Sequence, residues 1–93
     1  MVVGLLCIEL SLPGANSLKE KRRVLKSLID RVHNQFNVAA AEVDHQDQWR
    51  RATVAVACVS EGSQHASQVL SRVMSAVDRQ GGVVVMDYSI QMR

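Results

Sequence analysis

The chain has 93 residues, of which 47% are hydrophobic and 22% charged, and its formal net charge is +2. That is room for one globular domain with one core. No apolar run approaches the roughly 20 residues that span a bilayer, and the N-terminus has no basic segment followed by a cleavage site, so a soluble cytoplasmic protein without membrane contact is expected.

Val2 to Leu12 is rich in Val, Leu and Ile and stops at Pro13-Gly14, which marks a first strand, β1. Its residues are apolar on both faces: Leu6, Ile8 and Leu10 alternate with Val3, Leu5 and Cys7. Next, Ser17 and Glu20 have the Ser-x-x-Glu spacing of a capping box, so a helix starts there. From Leu18, the residues Leu25, Leu28, Ile29, Val32 and Phe36 form one helical stripe, α1.

Between Leu18 and Gln35 the charge balance is +4 in a chain whose total is +2. The positive charge is therefore local. Lys19, Arg23 and Lys26 share an outer sector of the helix with Arg22 at its border, whereas Lys21 falls near the opposite edge of the apolar stripe. Cations crowding the first turns oppose the helix dipole, an arrangement that an anion such as phosphate at the free N–H groups would relieve. The plainer expectation for a basic helix is a solvated face.

Val38 to Asp44 and Ala52 to Ser60 read as strands β2 and β3 of a hairpin around His45-Gln46-Asp47-Gln48. Ala66, Val69, Leu70, Val73 and Val77 define a second helix, α2, which Gly81-Gly82 stops. Val83 to Met92 forms β4, with Val84, Met86, Tyr88, Ile90 and Met92 alternating against Val85, Asp87, Ser89 and Gln91. Cys7 and Cys58 lie in strand runs without metal-ligand spacing and are expected as buried, reduced thiols.

The order βαββαβ points to a ferredoxin-like α+β sandwich, a four-stranded antiparallel sheet with two helices on one face, as a single domain over residues 1–93. One face of β1 then lies outside the helix layer. With Val3, Leu5 and Cys7, joined by Val83 and Val85 as candidates, it is more apolar than a lone small domain leaves in water. A homodimer through that open face, or through a strand edge, is expected.

The run from Ser17 to Leu28 (Ser-Leu-Lys-Glu-Lys-Arg-Arg-Val-Leu-Lys-Ser-Leu), then Arg31, Phe36-Asn37-Val38, Ala41-Glu42-Val43-Asp44 and Trp49-Arg50-Arg51-Ala52, resembles the YlxP-like family of small bacterial proteins of unknown function. The resemblance spans nearly the whole chain and is most specific before Ser60. It implies a ferredoxin-like fold. In many bacteria the genes of that family lie beside translation-initiation and ribosome-maturation genes, which implies a partner rather than a reaction, and the family brings no catalytic residues with it.

Enzymatic chemistry needs an acid, base or nucleophile within reach of one another. His33, His45 and His65 have no paired partner in the sequence. Glu42 and Asp44 share a strand face by two-residue spacing, with Asp47 just beyond, yet a solvated strand end explains them better than a cation site. The fold also hosts acylphosphatases, but the loop Pro13-Gly14-Ala15-Asn16 has no arginine. No catalytic residue, metal or cofactor is therefore expected.

Trp49, Arg50 and Arg51 are the second basic spot. The indole could stack on an unpaired base while the arginines meet phosphates, although a Trp covering the end of the core under one arginine is the favoured expectation. The central strands β1 and β3 offer no exposed aromatic platform, so RNA would be met by Lys19, Lys21, Arg22, Arg23, Lys26 and Arg31 with the hairpin, by shape and charge. The expected function is a non-enzymatic accessory binding structured RNA or a ribosomal subunit. The alternative is a homo-oligomeric module that binds an acidic protein, and a third option is a small phosphorylated ligand at the α1 start, held by the Ser17 hydroxyl.

Overall fold

The computed structural model describes residues 1–93. The elements are β1 (Val2–Ser11), α1 (Leu18–Gln35), β2 (Ala39–Asp44), β3 (Arg51–Ser60), α2 (Ser63–Asp78) and β4 (Val84–Met92). The strands form one sheet in the order β2-β3-β1-β4, every neighbouring pair antiparallel. Both helices cover the same face, giving the ferredoxin-like architecture.

β1 occupies the centre because it is apolar on both sides and can bond to β3 and β4 along its whole length. Its even-numbered residues Leu6, Ile8 and Leu10 are fully buried beneath the helices. Val54, Val56 and Cys58 extend that layer on β3, and Leu25, Leu28, Val32, Leu70, Val73 and Val77 close it from above. Each large aliphatic side chain so buried contributes roughly 1.5–3 kcal/mol. Ile29 is only half-buried, and Val24, outside the expected stripe, is half-buried against the core on the helix's other flank. Cys7 and Cys58 are free thiols on opposite faces, Cys58 buried and Cys7 half-buried.

Two bulges alter the expected faces. In β4 the register shifts between Glu9 and Leu10, so that Glu9 meets Asp87 while Leu10 meets Val85 and Met86 has no partner. Tyr88, Ile90 and Met92 therefore share the helix side with Val85. Val84, opposite Ser11, turns to the open side and is 51% exposed, while Met86 is 67% exposed. The single alternating face expected for β4 is broken there, and Val83 and Val85 pack against the core instead of widening the open face. In β2 the register shifts between Glu42 and Asp44. Glu42 lies opposite Val54 on the helix side and Asp44 opposite Thr53 on the open side, so the two carboxylates do not share a face.

Two glycines are fixed by close approaches. A Cβ on Gly4 would lie 2.9 Å from Leu70 Cδ1 and 3.2 Å from Ala66 Cβ, so its absence lets α2 settle onto β1. Gly82 has φ +86° in the turn before β4, and a Cβ there would lie 3.2 Å from Val24 Cγ1 on α1. Gly82→Ala combines positive φ with that contact and should destabilise the fold by about 1–3 kcal/mol, read as a lower urea midpoint at unchanged slope.

Candidate nucleic-acid interface

The start of α1 is built as its sequence requires. Ser17, with extended backbone, caps the helix, and its Oγ accepts from the Glu20 backbone N–H at 3.1 Å. Glu20 Oε2 accepts from the Asn16 N–H at 2.7 Å, one residue before the reciprocal partner of a standard capping box. The helix start thus already holds a carboxylate. A small phosphorylated ligand seated there would meet the Glu20 charge, and the Ser17 oxygen is spent on the cap, so the geometry does not favour that option.

Lys21 departs furthest from expectation. It is 1% exposed, with Nζ 2.8 Å from Glu42 Oε2 on β2 and donating to the backbone carbonyl of His45 in the hairpin turn. His45 adopts φ +63°, and its carbonyl also accepts from the Gln48 N–H. Glu42 Oε2 has no aligned hydrogen-bond donor, so its contact with Lys21 is ionic. Lys21 therefore fastens α1 to the hairpin and does not belong to the surface that meets a ligand.

Lys19, Arg22, Arg23 and Lys26 are exposed on α1. Lys26 pairs with Asp30 at 2.6 Å, an exposed i,i+4 contact worth only a few tenths of a kcal/mol. Lys19, Arg22 and Arg23 make no ion pair within 4.0 Å. Arg31 is half-buried and donates to Gln80 Oε1 at 3.2 Å, while Gln80 Nε2 reaches Ser27 Oγ at 3.5 Å. Gln80, which carries no signal of this in the sequence, ties the end of α2 to α1. Arg23, Lys26, Ser27 and Arg31 line a shallow groove of about 570 Å³ on this side of α1 that has no hydrophobic residue in its walls.

The fold brings the hairpin end to the α1 start. Leu12 N–H donates to the Arg50 carbonyl at 2.9 Å, and Arg50 Nε donates to the Ala15 carbonyl at 3.0 Å, with its terminal nitrogen 3.4 Å from Asn16 Oδ1. Trp49 beside it is 51% exposed and stands outside the core cluster, so it does not cover the core as expected. Arg51 is separated from this group. It sits on the open sheet face with its guanidinium 3.8 Å from Glu9 Oε2, whose carboxylate also accepts from Thr53 Oγ1 at 2.8 and 3.0 Å. Of the residues anticipated from sequence, Lys19, Arg22, Arg23, Lys26 and Arg50 remain exposed on the α1 side and Trp49 is exposed at the hairpin end, with Ser17, Lys21 and Arg31 holding structure and Arg51 on the other face.

The histidines are scattered. His33 Nε2 accepts the Ala40 N–H at the outer edge of β2, His45 lies in the hairpin, and His65 is exposed on α2. No two of them share a site. The geometry sets out a ferredoxin-like domain with a cationic helix face, and His45 alone among the three stands near a carboxylate, its Nε2 3.9 Å from Glu9 Oε2.

The chain belongs to the DUF503 family of proteins of unknown function, whose pattern matches residues 3–90. It is 39% identical over 77 residues to the uncharacterized protein YlxP of Bacillus subtilis (strain 168), covering 83% of this chain and 84% of that protein. Among solved structures it resembles a de novo designed protein with a ferredoxin fold, with TM-score 0.61, 11% identity, and coverage of 98% of this chain and 86% of that one. It also resembles the acylphosphatase of Bacillus subtilis, with TM-score 0.51, 16% identity, and coverage of 100% and 86%. At these identities the likenesses speak for the fold alone.

The buried pair makes a specific prediction. Lys21→Met leaves Glu42 without its counter-charge and should cost about 1–3 kcal/mol, whereas Lys21→Met with Glu42→Leu should recover part of that loss. Urea denaturation of both single variants and the double variant measures the coupling.

Proposed function

We propose that this protein is a non-enzymatic RNA- or ribosome-associated accessory that contacts structured RNA through the outer face of α1. The observation that carries the reading is the exposure of Lys19, Arg22 and Arg23 within two helical turns without one ion pair among them. Unpaired cations near a helix N-terminus oppose its dipole, and phosphates along an RNA backbone would relieve that repulsion. Trp49, exposed next in sequence to Arg50, which bonds the α1 approach, offers a stacking surface for an unpaired base. The gene context implied by the family resemblance agrees with a ribosomal partner.

Recognition of this kind follows phosphate geometry more than sequence, because helix side chains do not enter the deep, narrow major groove of A-form RNA. An acidic protein surface is the competing ligand for the same cations. The two are separated by titrating a fluorescent structured RNA and ribosomal subunits over a salt series, beside a variant with Lys19, Arg22, Arg23 and Lys26 changed to Glu. RNA binding by three or four cations should fall with salt at a log–log slope of about −2 to −4 and disappear in the folded variant. Weak binding equal in both proteins refutes the RNA reading; a pull-down partner that survives nuclease and is lost in the variant favours the acidic protein.

A further inference from the structure

We propose that two copies of this chain associate face to face through the open side of the sheet, about a two-fold axis that runs along the strands between β1 and β3. The open face is apolar over one end: Val3, Leu5 and Cys7 on β1 stand beside Ala39 and Ala41 on β2 and Ala55 and Ala57 on β3. The alanines with Leu5 form a shallow trough of about 180 Å³ whose walls are entirely hydrophobic. At Leu5 and Cys7 the larger side chains of one central strand therefore adjoin alanines of the next, while Val3 adjoins the exposed Val59.

The register makes this relief self-complementary. Leu5 is level with Ala57, and Cys7 with Ala55. A two-fold axis along the strands exchanges β1 and β3 without sliding them, so Leu5 of each copy lies over Ala57 of the other and Cys7 over Ala55. Every contact is made twice, as an isologous interface requires. At the polar end, Glu9 of one copy comes diagonally across from Arg51 of the other. Asp44 and Asp87 meet only at the outermost strands, where water and salt screen them.

Extent and edges argue for the same occupant. The strands have 10, 6, 10 and 9 residues, and at a spacing of about 4.8 Å they offer roughly 550 Å² per copy, so a pair buries roughly 1,100 Å², just above the ~1,000 Å² that a specific interface needs. The alternative of edge-to-edge pairing meets obstacles on both sides of the sheet. On β2 the Ala40 N–H is taken by His33, and on β4 the Met86 bulge breaks the ladder while Asp87 Oδ1 accepts the Tyr88 N–H at 2.9 Å. The face is the apolar surface left without a partner.

Sedimentation equilibrium of the intact protein at about 100 μM should give a dimer, and Ala57→Arg, which sets a charge under Leu5 of the other copy, should weaken association at least ~100-fold with an unchanged circular dichroism spectrum. A monomeric wild-type protein at that concentration, or a dimer indifferent to a folded Ala57→Arg, overturns the proposal. A second arm does not depend on that variant folding. In a Cys7→Ser background, chains carrying Ala41→Cys are mixed with chains carrying Ser89→Cys, residues that stand level on the outer strands and should face each other across the dimer. A short bis-maleimide should link the mixed sample only; links within either unmixed sample, or none at all, overturn this axis.

Discussion

The burial of one row of side chains on β1 is the constraint on which the other features depend. Leu6, Ile8 and Leu10 can leave water only if helices cover their face, and β1 can be central only if strands flank it on both sides. Crossover connections in a sheet are right-handed, so β1-α1-β2 and β3-α2-β4 both carry their helices to the same side. One layer of helices is thereby filled and the opposite face is left bare. The open face of Val3, Leu5, Cys7 and four alanines is thus a consequence of the topology, and its apolar composition is what distinguishes this chain from a two-layer domain that simply presents polar residues to water.

The same topology lays α1 over β2 and fixes the role of Lys21. A lysine at the border of the apolar stripe passes beneath the edge of the helix and ends at Glu42 and at the carbonyl of His45. The pair is costly to desolvate, yet it joins the first turns of α1 to the hairpin, and Arg50 does the same from the other direction through Ala15 and Asn16. The α1 start and the hairpin, joined by contacts 24 to 35 residues apart in the chain, are held as one corner. The exposed Lys19, Arg22 and Arg23 make no ion pair of their own, so the helix that this corner fixes is what places them.

Much of this was legible in the sequence because it rests on local periodicity: the alternation of β1, the Leu25–Leu28–Val32 stripe, the Ser17–Glu20 cap and the Gly81-Gly82 stop all act over a few residues. What was hidden depends on pairing between distant segments. A bulge needs only one extra residue, and Val84, Val85 and Met86 are all apolar, so no change of polarity betrays the switch of face at Met86. The bulge at Val43 likewise separates Glu42 from Asp44 without a local signal. For Lys21 the helical wheel gave its border position, but its burial follows from an acid on β2 that helical spacing cannot locate. Arg31 falls with the basic surface by helical spacing because its partner, Gln80, lies just past the far end of α2.

The two layers of the molecule are chemically distinct, and this bears on how the proposed contacts relate. The cations of α1 point away from the sheet, while the apolar patch faces the opposite side, with the full thickness of the core between them. No residue is required by both, so contact with RNA and self-association do not compete for surface. They also respond oppositely to ionic strength, since phosphate contacts weaken as counterions accumulate whereas apolar burial persists and the acidic rim is screened. Pairing the open faces leaves both helix layers outermost, with the two α1 ridges on opposite sides of the particle. In the proposed pair a single small domain with one cationic helix would become a bivalent body, and two weak, shape-led contacts on one structured RNA would gain through effective concentration what neither ridge achieves alone.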